Sequence, residues 1–184
     1  MLESRAVILD YLPYGKNPKK PIPIVQALGV ENFLLLEFVK PKDLEVKILG
    51  EMPLLSKYRL ISYDSLTQTA RENLKNALIS LIEKREKDFI EFINKSTAIT
   101  PRLHMLETLP HIGKRITWKI VEEKEKKPFE NFSEIEERIK IKFDIKGIIM
   151  ERIIEELQNK DKYKLFVGPN SFLKKVLSSQ EKKR

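Results

Sequence analysis

Apolar positions in the first 63 residues come in short runs separated by turn residues. Residues 5–12 (RAVILDYL) are β-branched and aliphatic and stop at Pro13, which predicts a strand. Residues 22–25 (IPIV) predict a short strand, with Pro23 placing it at an edge or bulge. QALGVEN reads as a turn or one helical turn ending near Gly29. Residues 33–40 (FLLLEFVK) predict a buried strand. Residues 44–51 (LEVKILGE) alternate Leu44, Val46 and Ile48 against Glu45, Lys47 and Leu49, the period of a half-buried strand. Residues 57–63 (KYRLISY) predict another. Short strands joined by turns suggest a small closed or half-closed barrel, either OB-like or SH3-like. The loop at 13–21 (PYGKNPKKP) is basic. It reads as a solvated loop, or as a barrel rim where Tyr11 or Tyr14 could stack on a base.

At Tyr63 the period changes to that of a helix. Ser65 and Gln68 form the pattern of a capping box. Leu66, Ala70, Leu74, Ala77, Leu78, Leu81, Ile82, Phe89, Phe92 and Ile93 then trace one stripe to residue 94. The expectation is a single long helix joining a barrel to a helical half. NKSTAIT breaks it, and Thr100-Pro101 predicts a new helix start. A helix after Gly113 is ended by Pro128. Ser133 with Glu136 suggests a further capping box, before helices carrying Ile135 and Ile139 and then Ile148 to Leu157. Residues 160–168 (KDKYKLFVG) predict a strand, and Ser171 caps a last short helix before a basic tail.

The stretch 103–121 (LHMLETLPHIGKRITWKIV) has the layout of a helix-hairpin-helix: two helical patterns around the turn Leu109-Pro110-His111-Ile112-Gly113. A helix N-terminus has free N–H groups and a partial positive charge, which suit a phosphate. Gly113 lets a sugar-phosphate backbone come close, because it has no Cβ. Lys114 and Arg115 add charge there, and Lys119 lies one turn beyond Arg115. Ile112 is expected to plug the hairpin core, and Trp118 to pack as a core or helix-packing residue. The candidate nucleic-acid-binding set is therefore Pro110, His111, Ile112, Gly113, Lys114, Arg115 and Lys119. A hairpin that only packs helices is the competing reading.

Charge sharpens this. Across 184 residues, 35 Lys and Arg face 27 Asp and Glu, a formal charge of +8. Residues 95–129 hold eight basic and four acidic residues, so +4 falls in about a fifth of the chain. Such an excess favours phosphate-rich partners. The absence of cysteine excludes disulfides, thiolate nucleophiles and cysteine-based zinc sites. His104 and His111 have no nearby carboxylate to complete a metal set, so neither metal nor cofactor is expected. Paired carboxylates such as Glu155-Glu156 read as solvated helix faces. No phosphate-binding loop, nucleophile elbow or Ser/His/Asp order is visible, and a non-enzymatic protein is expected. With no leader pattern and no apolar run of about 18 residues, the expected location is the cytoplasm.

Four stretches resemble an archaeal family of predicted nucleic-acid-binding proteins, the DUF655 or AF1531-like family. They are VILDYLPYG, ISYDSLTQTAREN, FIEFINKSTAITPRLHMLETLPHIGK, and KPFENF with MERIIEELQNKDKYKLFVGP. The third is the most specific. LETLPHIGKRITWKIV and KPFENFSEI together look like a tandem helix-hairpin-helix domain, with the usual first glycine of the turn replaced by His111 and no paired glycines in the second repeat. The resemblance implies an OB-like barrel joined to a helix-hairpin-helix domain, no established enzyme activity, and, from gene neighbourhood, a link to rRNA or translation.

The sequence thus predicts an α+β protein. It places an OB-like β-barrel at 1–63, a connecting helix at 64–96, an all-α helix-hairpin-helix domain at 97–160, and a strand, short helix and basic tail at 161–184. RNA is favoured over DNA, with ribosomes or rRNA-processing proteins as further partners and no membrane. A DNA-binding protein for structured duplex and a protein–protein adapter remain the alternatives.

Overall fold

The computed structural model describes residues 2–181 except 18, 20, 56 and 141–143. Five antiparallel strands form one sheet: β1 (Arg5–Leu12), β2 (Ile24–Gly29), β3 (Leu35–Val39), β4 (Glu51–Pro53) and β5 (Arg59–Leu60), in the order β4-β1-β2-β3-β5. The two short strands lie at opposite edges, so the sheet is open among the described residues where a barrel was expected. Ala6 pairs with Gly29 and Leu12 with Ile24, and the register shifts between Ile8 and Asp10.

Side chains alternate across this sheet, and both faces are covered. Val7, Leu9, Leu28 and Leu35 point into the main core. Ala6, Ile8, Val25, Ala27, Leu36 and Phe38 build a second, smaller core. Leu44, Val46, Met52 and Tyr58 pack against the second core. Residues 44–50 are therefore an irregular cover, not the strand that their alternation predicts. Leu49 takes φ +61°, its N–H donates to Ile8 O at 2.8 Å, and Gly50 N–H closes a turn on Lys47 O at 2.9 Å.

QALG is also corrected, from a turn to the centre of the sheet. Gln26 is fully buried, but its amide is satisfied: it donates to Glu37 (3.1 Å) and Ser65 O (3.0 Å) and accepts from Thr67 N–H (2.9 Å). Gly29 is needed because a Cβ there would lie 2.2 Å from the buried Glu3 side chain.

The long helix is two helices, α1 (Gln68–Lys84) and α2 (Glu86–Lys95). The chain bends at Arg85 (φ −109°, ψ 23°), whose guanidinium donates to Val30 O at 2.7 Å and lies over the Phe33 ring. The cap is Thr67, which accepts from Ala70 N–H, rather than Ser65.

Beyond Ser96 the expected helix from Thr100-Pro101 is absent. A hairpin of β6 (Ala98–Thr100) and β7 (Leu103–His104) takes its place, followed by one 3-10 turn at Met105–Thr108. Then come α3 (Lys114–Lys126), α4 (Phe132–Ile139), α5 (Ile145–Leu157) and α6 (Phe172–Glu181). Asn131, not Ser133, caps α4 by accepting from Glu134 N–H at 2.8 Å. Residues 160–168 form no strand. Their backbone is held by Glu156, 1 % exposed, which accepts the N–H groups of Leu165, Phe166 and Val167. Burial raises its pKa, against those three bonds and Arg152. Glu156 is therefore a buried anchor and not part of a solvated face. One apolar cluster runs from the sheet through α1 and α2 to the C-terminal helices. The molecule is α+β, and among the described residues no helix is long and apolar enough to cross a membrane.

Candidate nucleic-acid interface

The turn at 109–113 is set by two buried side chains. Leu109 and Ile112 are both buried, and Ile112 N–H donates to Leu109 O at 3.2 Å. Ile112 plugs the turn as expected. With both buried and only Pro110 and His111 between them, the second of the two takes the left-handed region: His111 has φ +62°. A non-glycine residue there costs on the order of 1 kcal/mol. Its imidazole Nε2 lies 3.0 Å from Glu151 Oε2 on α5, so the ring already has a partner. Pro110 is half-buried beside it.

Gly113 caps α3 with φ −86° and ψ 177°, and no side chain caps this end. Its carbonyl accepts from Ile116 N–H (3.1 Å) and Thr117 N–H (3.0 Å). The N–H groups of Lys114 and Arg115 have no partner among the described residues. A Cβ at Gly113 would meet nothing within 4 Å. Neither the backbone angle nor internal packing demands a glycine here, and the bare helix end faces outward.

The local charge divides into two groups. Lys95 pairs with Glu91, Lys126 with Glu122 and Glu123, and Lys127 with Glu130. Lys124 is drawn inward, donating to Ser96 O at 2.6 Å and capping the end of α2. Burial lowers its pKa. Burial also lowers that of His104, helped by the Lys124 charge. The remaining four cations, Arg102, Lys114, Arg115 and Lys119, form no ion pair among the described residues. Three are exposed and Lys119 is half-buried.

Two neighbours were missed by the sequence reading. Trp118, expected to pack, is 66 % exposed. It sits one turn beyond Lys114, off the Ile116/Ile120 stripe, and that offset was the available signal. Arg102 reaches the same region only because residues 98–104 fold as a hairpin. The rim loop is different in character. Tyr14 is exposed, while Tyr11 packs on the smaller core. Lys16 is pinned to Glu37 at 2.6 Å. Glu37 also pairs with Arg59, and these contacts outweigh burial to lower its pKa. Among the described residues no group of three or more His, Cys, Asp or Glu is placed to hold a metal ion.

Residues 2–168 match the family described as "Protein of unknown function (DUF655)". The chain belongs to the DUF655 family. One relative, the uncharacterized protein MJ0038 of Methanocaldococcus jannaschii, is 43 % identical over 176 residues, covering 90 % of this chain and 80 % of the relative. The crystal structure of the DUF655 protein Af1531 from Archaeoglobus fulgidus superposes with a TM-score of 0.82 at 34 % identity, covering 90 % of this chain and all of that one. Both relatives are archaeal.

Proposed function

We propose that this DUF655 protein is a non-enzymatic nucleic-acid-binding protein of the cytoplasm that grips backbone phosphates at the N-terminus of α3. The observation that carries the reading is the group of four cations that, among the described residues, have no ion-pair partner, around a helix end that no described side chain caps and where Gly113 leaves room for close approach. In this reading residues 105–126 act as a helix-hairpin-helix whose first helix is reduced to a single 3-10 turn, and the open sheet is the counterpart of an OB-like barrel. Lys114, Arg115 and Lys119 contact phosphates. Gly113 and the free N–H groups receive one phosphate directly. Pro110, His111 and Ile112 hold the turn. RNA is favoured over DNA on the gene neighbourhood that the family resemblance implies, which points to rRNA and translation and suggests ribosomes or rRNA-processing proteins as partners.

Phosphate contacts release counterions, so affinity falls with salt. Filter binding of a structured RNA between about 50 and 200 mM salt should give a log–log slope of about −3 for four cations. The double variant Gly113→Glu/Lys114→Ala should weaken binding and flatten that slope, with an unchanged circular dichroism spectrum. A salt-independent affinity, or an unaltered double variant, overturns the proposal. Matched DNA as competitor decides between the two nucleic acids.

A further inference from the structure

The β6–β7 hairpin and α3 enclose a groove of about 380 Å³. Its walls include Thr100, Pro101, Arg102, Leu103, Lys114 and Trp118. That volume lies within the range of small-ligand sites, about 300–1,000 Å³. We propose that this groove receives an unpaired base of single-stranded or looped RNA, stacked on the Trp118 indole, with its flanking phosphates held at the rim by Arg102 and Lys114. The proposal rests on the phosphate-binding reading above and names what lies beside the phosphates.

Three observations converge on a base. Trp118 is the chain's one tryptophan, and it is 66 % exposed on a helix whose buried stripe lies elsewhere. An indole face stacks on any base, and cations beside it add charge complementarity to the strand. Lys114 and Trp118 are four residues apart on α3, so they share one side of the helix. Glu107 also lines the groove, and its Oε1 accepts the His104 N–H at 3.2 Å. A phosphate inside the groove would face that carboxylate. A neutral base suffers no such repulsion there, and a base amino group could donate to it. The cations stand where the strand's charge must pass, and the carboxylate where it need not.

A perfect duplex keeps its bases stacked and offers none to the groove, so structured RNA and single strands separate the two readings. The single tryptophan makes the groove directly observable. Titrate the full chain with oligoadenylate, with an abasic oligomer of equal phosphate number, and with a perfect RNA duplex. Follow indole fluorescence and, separately, the anisotropy of an end-labelled strand. The expected result is binding of all three, with fluorescence quenched by oligoadenylate alone. Trp118→Ala should lower affinity for oligoadenylate about tenfold or more, and affinity for duplex by less than twofold. Trp118→Phe should recover most of the loss. Equal quenching by the abasic oligomer, or an equal loss for duplex, overturns the base groove and leaves phosphate binding standing. An indole that no nucleic acid perturbs, with all three still bound, also overturns it. Failure of all three to bind overturns both readings.

Discussion

Two residues hold side chains against their ordinary preference, for different reasons. His111 sits at φ +62° because Leu109 and Ile112 on either side of the turn are both buried. The sequence raised this question, because a histidine stands where such turns carry glycine. Glu3 gave no sequence signal. It is buried and accepts from the N–H groups of Glu31 (2.8 Å), Asn32 (3.0 Å) and Leu34 (3.2 Å). Burial, helped by Glu31, pushes its pKa up from 4.5 to about 8. For Glu31, burial would raise the pKa, but bonds from Glu3, Ser4 and Arg5 outweigh it and hold the group at about 2. The folded state thus keeps a proton on Glu3 that the unfolded chain releases near 4.5. Its contribution is full below 4.5 and is lost as pH rises toward 8. Glu31 acts oppositely, losing its contribution as pH falls from 4.5 toward 2. Glu3→Gln, which mimics the protonated acid, should remove the loss between pH 5 and 8, on the order of a few kcal/mol. Urea unfolding at several pH values checks it, and parallel profiles for both proteins would refute it.

At the scale of elements, strands and helices with a clean period were legible, and elements set by distant partners were not. The strand at 5–12 and the strand within 33–40 were readable because apolar runs met breakers. Residues 44–50 alternate like a strand, yet they cover a sheet face that β1, β2 and β3 had already filled with apolar side chains. The cap of α1 was misplaced by two residues because Ser65 and Thr67 offer the same chemistry. Asp10 accepts the Thr67 hydroxyl and leaves its oxygen to take the Ala70 N–H, whereas the Ser65 hydroxyl meets that of Ser62. Thr67→Ala should therefore cost about 1–2 kcal/mol, and Ser65→Ala no more than about 0.5 kcal/mol. Comparing denaturant midpoints of the two variants decides which residue is the cap. The hairpin at 98–104 was hidden because Thr100-Pro101 is equally good at starting a helix and at turning a short strand pair.

Across the whole molecule, the C-terminal segment ties helices to sheet. Phe166 meets Phe89 at 5.4 Å and Phe92 at 5.0 Å between ring centroids. Gly168 N–H donates to Asn32 O in the loop between β2 and β3 at 2.9 Å. Phe166→Ala should lower stability by about 3–5 kcal/mol, read from urea unfolding by circular dichroism. A loss below about 1 kcal/mol would mean that this segment only rests on α2. The sequence by itself determined the α+β class, the surplus of cations over residues 95–129, the buried plug at Ile112 and the helix start at Gly113. Those are local properties of period, composition and turn chemistry. Only the tertiary structure decided that the sheet stays open, that the long helix bends at Arg85, and that Glu156 is an anchor. It alone also left Trp118 uncovered beside Arg102 and Lys114. Each depends on which distant groups occupy the same space, and spacing along a chain does not encode that.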